Sequence, residues 1–320
     1  MAAAMQRVLA LSGGVGGAKL ALGLTHESSA GALHVLVNCA DDFEHLGLHI
    51  SPDIDTLLYT LAGLSDPQQG WGVGGETFNA LEALGRLGGE TWFRLGDKDL
   101  ATHLWRSVEL GRGQTLSQVT AELAARLGIT AHIHPMSDDP VRTRVHSSLG
   151  ELPFQHYFVR EACSPQVTGF DFDGIEAASA NHEVMAMLAA DAFSVIVICP
   201  SNPFVSIDPI LQLPGMWQAL ASCSAPVVLV SPIVGGIAIK GPAAKMMSEL
   251  GMPVTAQGVA GHYQRHYPGL VDHFVIDTSD GTLAADIERL ELDVGVTATV
   301  MTTLQDKRRL ARYVLDLVNS

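Results

Sequence analysis

Four aspartates lie within one short stretch, NCADDFEHLGLHISPDIDTLLYTLAG: Asp41, Asp42, Asp53 and Asp55. Like charges so close raise one another's pKa or recruit a cation. One or two carboxylates combined with substrate phosphates are the usual surroundings of Mg2+. Ser51 or Asp53 could instead cap the helix-like run that begins near Thr56, but a cap accounts for only one acid. His45 and His49 fall between the aspartates with no cysteine and no HxxxH spacing, so they read as structural. Upstream, LSGGVGGAKLALGL places Gly13, Gly14, Gly16, Gly17 and Lys19 between an apolar run and a helix-like run. It fits neither a Walker A loop, which ends in Gly-Lys-Ser/Thr, nor GxGxxG, which would need glycine where Lys19 stands. Glycines could still turn with positive φ and approach an anion, with the following helix offering unpaired N–H groups. The alternative is a tight turn whose glycines serve packing alone.

Further charged groups recur in the same style. RLGDKDLATH supplies Asp97, Lys98 and Asp99, expected after a short strand and at a helix start. HPMSDDPVRTRV supplies Ser137, Asp138, Asp139 and Arg142. No serine sits in GxSxG, so neither a nucleophile elbow nor a Ser-His-Asp triad is available. The pieces favour metal-assisted transfer at a phosphate over covalent catalysis.

Short β-branched runs alternating with helix-like segments must position these residues. Strands are expected at Arg7 to Leu11, Leu33 to Cys39, Ser194 to Pro200, Pro226 to Pro232 and Asp293 to Met301. Helices are expected at Ala18 to His26 and Gln305 to Val318. The pattern predicts an α/β, Rossmann-like parallel sheet with helices on both faces. In such sheets ligands sit beyond the carboxyl ends of the strands, where the glycine loop, Asp41 and Asp42, SNPFVS and SPIVGG all fall. Residues 140–173, with arginines, aromatics and a hairpin at SSLGE, read as an inserted subdomain covering the site. Residues 1–139 and 174–320 read as the core that binds the substrates.

The chain has 320 residues, enough to bury about 75% of its unfolded surface, and its net charge of −15 gives no nucleic-acid footprint. No stretch of 18 apolar residues supports a membrane span. The four cysteines form no CxxC pair, and the start carries no export-signal pattern. Reduced thiols in a cytoplasmic protein are expected. The apolar segment LPGMWQALASC would allow a homodimer face.

In order along the chain, SGGVGGAKLALGL, DDFEHLGLHISPDIDTLLYTLAG, LGDKDLATH, MSDDPVRTRV, PSNPFVSIDPIL and SPIVGG followed by IKGPAAKMM resemble the CofD family. These are 2-phospho-L-lactate transferases, with phosphoenolpyruvate and 3-phosphoglycerate variants, of coenzyme F420 biosynthesis. The resemblance implies a Mg2+-dependent reaction. A guanosine-diphosphate-linked small acid is the donor, the deazariboflavin Fo offers a hydroxyl, and GMP leaves. It implies Asp41, Asp42, Asp53 and Asp55 around the ion and the Fo hydroxyl, with Asp53, Asp55, Asp97 and Lys98 on Fo. The glycines with Lys19, and Asn202, Pro203, Ser206, Ser231, Gly235 and Lys240, fall to the nucleotide. Asn202 could equally be a cap, Lys240 and Lys245 a solvated face, and Arg142 or Arg144 either a contact to the donor's acid or a surface hairpin pair. Ile237 stands where the family pattern carries lysine, and Cys39-Ala40 replaces a commoner Thr-Gly or Val-Gly. The rival reading is a nucleotide-sugar-binding regulator similar to the YvcK-like proteins. Such a sensor would not need both SPDIDT and GDKDLATH.

Overall fold

The structure is a computed structural model and describes residues 6–318 apart from Gln68 and Lys240. Five consecutive apolar or small residues form strand β1 (Val8–Ser12), and four apolar residues with His34 form β2 (Leu33–Val37); every one of the ten is buried. Continuous burial along a strand means that both faces of the sheet are covered. Seven parallel strands make up this sheet. From one edge the order is Asp293–Thr297, His273–Asp277, Val227–Val230, Val195–Ile198, β1, β2 and His132–Pro135.

The chain therefore winds outward in one direction from β1 and later in the other direction from Val195–Ile198. These two strands are neighbours, with Leu9 paired to Ile196. The loops that leave their carboxyl ends part to opposite sides and open a crevice between them. Helix α1 (Val15–Glu27) follows β1, and helix α2 (Pro52–Leu61) follows a small hairpin of Phe43–His45 and Leu48–Ile50. Gly23 on α1 lets the carboxy-terminal helix Leu304–Leu317 approach closely: a Cβ there would stand 2.2 Å from the Lys307 carbonyl oxygen. Glu27 ties the same pair of helices through Arg308 Nε at 2.6 Å and Arg312 Nη2 at 2.8 Å.

Residues between the third and fourth strands of the chain's main sheet include a separate antiparallel sheet. Arg142–Ser147 pairs with Gly150–Pro153 on one side and with Val167–Asp173 on the other. Several expected boundaries move. α1 starts at Val15, three residues early, because Gly16 and Gly17 already belong to its first turn. The last strand stops at Thr297 and β2 at Val37. No strand precedes Asp97; residues 94–96 are irregular chain leading straight into helix Asp97–Gly111. Leu213, Met216 and Leu220 of the segment expected at a dimer face are buried in the chain's own core.

Candidate active site

The glycine loop meets the loop after Val195–Ile198 at the crevice, and the contact explains the glycines. A Cβ on Gly16 would lie 2.1 Å from the Pro200 carbonyl oxygen, one on Gly13 2.3 Å from Ser206 Cβ, and one on Gly17 2.2 Å from Ser12 Oγ. The Gly13 N–H donates to Ser201 Oγ at 3.0 Å, which locks the two loops together. None of the four glycines has positive φ, so close approach, not a left-handed turn, is what excludes a side chain. Gly14 is the N-cap of α1, and no side chain caps that end. Its first-turn N–H groups, with the helix dipole behind them, suit an anion.

Beyond β2, Asn38 organises the acids. Its Oδ1 accepts from the Ala40 N–H at 3.0 Å, shaping the turn that carries Asp41. Its Nδ2 donates to Asp53 Oδ2 at 2.9 Å and to the Val205 carbonyl at 3.2 Å. Asp53 sits in the first turn of α2, behind Pro52 at its start. It faces the glycine loop so closely that a Cβ on Gly14 would be 2.9 Å from Asp53 Oδ1. Asp41 Oδ1 accepts from Thr143 Oγ1 at 3.0 Å.

Burial pushes Asp53 up to about 7, only partly opposed by the Asn38 hydrogen bond and reinforced by the charge of Asp42. Burial also drives Asp41 well above the ordinary carboxylate range, with Asp53 the next largest contribution and Thr143 opposing. Two desolvated carboxylates that repel each other and accept only neutral hydrogen bonds form an oxygen donor set short of positive charge. That set fits a hard cation such as Mg2+, which commonly takes one or two protein carboxylates and completes its shell with water and phosphate.

Of the other two aspartates, Asp42 turns away from the crevice and Asp55 lines it but is held by a countercharge, so the acids without a cationic partner reduce to a pair. Asp55 is held by Arg106 in a two-pronged ion pair, Nη1 to Oδ2 at 3.0 Å and Nη2 to Oδ1. Arg106 is fully buried and needs that countercharge. Asp42 accepts from Ser51 Oγ at 2.7 Å and contacts His49 Nε2 at 3.0 Å, and it does not line the crevice.

The crevice opens into a cavity of about 690 Å³. Gly14, Gly16, Lys19, Asp41, Asp53 and Asp55 line it, as do Asn202, Ser206 and Ser231 from the other half of the sheet. An aromatic wall of Trp71, Trp92, Phe93, Phe154 and Phe158 completes it. Phe93 packs edge-on to Phe43 at 4.9 Å and Trp92 to His45 at 5.1 Å, so part of this wall is stiffly braced. His45 is thus a buried aromatic partner, its pKa lowered first by burial.

Several expected contacts lie off the cavity. Asp97 gathers the start of the preceding helix, Asn79–Arg86, accepting from Thr77 Oγ1 at 2.6 Å and the Ala80 N–H at 3.0 Å, and Lys98 donates to the Gly74 and Gly75 carbonyls at 2.9 Å. Neither lines the cavity; Asp99, bonded to the Tyr59 hydroxyl at 2.7 Å, does. Gly13 and Gly17 sit just behind the lining. Pro203 is buried, and Gly235 donates to Asp280 Oδ2 at 2.9 Å. Asn202 caps the following turn through the Phe204 N–H at 3.0 Å while still facing the cavity. Ser231 Oγ is bonded to the backbone of Ile233. Lys245 pairs with Glu249 at 2.6 Å, and Arg144 pairs with Asp173 at 2.6 Å as a surface hairpin arginine. Arg142 donates to the Val141 carbonyl at 2.7 Å, away from the cavity. Ile237 is exposed, and Lys240 lies outside the described residues. Sequence reasoning missed Asn38, Thr143, Arg106 and the aromatic wall. A trace of the last was visible, since two of the four tryptophans line the cavity.

The sequence matches the profile of the 2-phospho-L-lactate transferase CofD family over residues 8–308. It is 39% identical over 313 residues to a 2-phospho-L-lactate transferase of Methanosarcina acetivorans, covering 98% of this chain and 99% of the relative. It is 38% identical over 316 residues to a phosphoenolpyruvate transferase of Streptomyces griseus, covering 97% of this chain and 98% of the relative. In three dimensions it is similar to the crystal structure of a UPF0052 family member from Bacillus halodurans, with TM-score 0.66, 15% identity, and 97% and 98% of the two chains covered. That last likeness speaks for the fold alone.

Proposed function

The chain belongs to the CofD family, and from that premise we propose that this transferase of coenzyme F420 biosynthesis moves a phospholactyl-type group from a guanosine-diphosphate-linked donor to a hydroxyl of Fo. The group is phospholactyl, phosphoenolpyruvyl or phosphoglyceryl. The observation that carries this reading is one cavity bounded by three features. They are a helix N-terminus suited to an anion, a buried carboxylate pair, and an aromatic wall. The first suits a diphosphate, the third a planar tricyclic ring, and the second lies where the two would meet.

In the proposed reaction the Fo hydroxyl oxygen bonds to the distal phosphorus of the donor. The bond from that phosphorus to the oxygen bridging toward guanosine breaks, and GMP departs with the electron pair. The Asp41–Asp53 pair would hold Mg2+ through one carboxylate and leave the other to take the hydroxyl proton. Mg2+, when bound, supplies positive charge to the diphosphate as negative charge grows on the leaving group. General-base assistance of this kind contributes roughly 100- to 10,000-fold. The uncapped first turn of α1 would steady the phosphates, and the loop at Ser201, Asn202 and Ser206 would frame the nucleotide. Asp55, Asp97 and Lys98 are given no direct contact to Fo, because their polar atoms are engaged with Arg106 and with the 74–80 segment.

Titration of the purified protein with Fo, read by deazaflavin fluorescence with and without GDP, tests the acceptor. Product masses from the three donors, each offered with Mg2+, test the group transferred. A fluorescence signal indifferent to the protein would overturn the reading and favour a nucleotide-binding regulator.

A further inference from the structure

At the edge formed by His132–Pro135, beside β2, the main sheet carries a second cluster of functional groups. β2 and His132–Pro135 run parallel, with His34 opposite His132 and Leu36 opposite His134. Residues two apart on a strand share a face, so His34, His132 and His134 lie on one side. The His34 and His132 rings stack at 4.5 Å, and those of His34 and His134 lie 5.3 Å apart and nearly coplanar in tilt at 5°. His34 Nδ1 stands 3.0 Å from His134 Nε2. Helix His182–Ala189 is pinned beside them: the Asn181 N–H donates to the Met136 carbonyl at 2.9 Å, and Asn181 Nδ2 to the Pro135 carbonyl at 3.1 Å. That docking sets Glu183, in the helix's first turn, 3.7 Å from His134 Nδ1. One ligand atom from each of His34, His134 and Glu183 lies within 4.8 Å of the other two, and no other such trio occurs among the described residues. None of the three lines the cavity.

We propose that His34, His134 and Glu183 form a binding site for a divalent ion of the Zn2+ type, distinct from the aspartate pair. Two imidazole nitrogens and a carboxylate oxygen are the donor set that Zn2+ and its neighbours favour over Mg2+. Two nitrogens each about 2.0 Å from a tetrahedral ion stand roughly 3.3 Å apart, so the ion would replace the His34 Nδ1–His134 Nε2 hydrogen bond with an opening of a few tenths of an ångström, while Glu183 would swing from its place beside His134 Nδ1. Burial, followed by the charge of His132, lowers both histidines to about 4. They are therefore neutral near pH 7, and binding displaces no imidazolium proton. Arg7 opposes positive charge at His34 and Glu183 favours it. The Glu183 side chain is 64% exposed, free to close on an ion and leaving room for water as a further ligand. The ion would join two adjacent strands to a helix more than 40 residues farther along the chain, which stabilises the fold at the sheet's edge.

The test uses the full chain without an affinity tag, stripped with chelator and titrated with Co2+, whose visible ligand-field bands report tetrahedral nitrogen and oxygen ligation. Wild type and Asp53→Asn are both expected to saturate the tetrahedral bands at one equivalent, displaced by Zn2+ and with a raised unfolding midpoint, whatever further Co2+ the aspartate pair of wild type takes in oxygen ligation. His34→Gln and His134→Gln should weaken binding by roughly 10-fold or more. Glu183→Gln, on an exposed side chain whose loss leaves the core intact, should weaken it similarly and remove the Zn2+-induced rise in midpoint. No Co2+ bands in wild type, unchanged affinity in Glu183→Gln, or loss of binding in Asp53→Asn would each overturn the proposal.

Discussion

Replacing Asp53 by Asn should abolish turnover and yet stabilise the metal-free protein, increasingly so as the pH rises. The carboxyl moves from an ordinary 3.8 to about 7 on folding, chiefly by burial. A raised carboxylate pKa costs nothing below the unfolded value, because both states are then protonated. The cost grows as pH passes from 3.8 toward 7 and is complete above that, on the order of 4 kcal/mol at ~1.4 kcal/mol per unit. At about pH 5 the same reasoning leaves only about 1.5 kcal/mol. Asparagine keeps an oxygen to accept from Asn38 and carries no charge to desolvate. For a chain of this length, 4 kcal/mol corresponds to a rise of roughly 5 °C in unfolding midpoint. Scanning calorimetry at about pH 5 and about pH 8.5, with chelator present, should therefore show the variant's advantage widening at the alkaline value. Addition of Mg2+ should lift wild type at alkaline pH and leave Asp53→Asn unmoved, while product formation falls by two orders of magnitude or more. A variant equally destabilised at both pH values, or one that turns over Fo within about 10-fold of wild type, would refute the assignment of Asp53 as a desolvated member of the reacting pair.

Other substitutions probe the rest of the site. Gly16→Ala would set a methyl 2.1 Å from the Pro200 carbonyl; relief of that overlap should cost about 1–3 kcal/mol in chemical denaturation and weaken GDP binding. Trp92→Ala should reduce Fo affinity about 10-fold in a fluorescence titration while GDP affinity, measured by calorimetry, stays put. Arg106→Met strands the buried Asp55 carboxylate and should destabilise by about 3–5 kcal/mol. Adding Asp55→Asn should restore most of that loss, which a urea-denaturation double-mutant cycle will show.

The parallel sheet was legible because strands buried on both faces leave nearly continuous apolar runs, as in Leu33–Val37 and Val227–Val230. The crevice was legible from the same reasoning, since the glycine loop and the SNPFVS loop both had to follow strands. What each aspartate does was not legible. Asp41, Asp42, Asp53 and Asp55 look alike in sequence, and the partner that neutralises Asp55 lies 51 residues away on another helix. Asp97 and Lys98 looked chemical because charged pairs at helix starts do; the backbone groups they satisfy sit some 20 residues upstream, in a loop and at the first turn of the short helix after it. The start of α1 was misplaced because glycine lowers helix propensity, whereas the tertiary contact with Pro200 demands glycine inside that first turn. The aromatic wall escaped for a related reason. Its members span Trp71 to Phe158, and only the fold gathers them.

That gathering divides the labour between the two halves of the sheet. The half built outward through β2 brings the aspartate pair and the aromatic wall. The half built outward from Val195–Ile198 brings Ser201, Asn202, Ser206 and Ser231. Under the proposed reaction the cleft would hold two large substrates, and each would be gripped by its own set of loops. The reacting ends still have to be kept in register. Asn38 is placed to do that, since a single side-chain amide donates both to Asp53 on one side and to the Val205 carbonyl on the other. Both bonds are buried, where an unmade one costs more than in water. A shift of the nucleotide-side loop is thereby felt at one carboxylate of the pair. Coupling of this kind needs no moving domain, only two loops that touch because Gly13, Gly16 and Gly17 lack side chains.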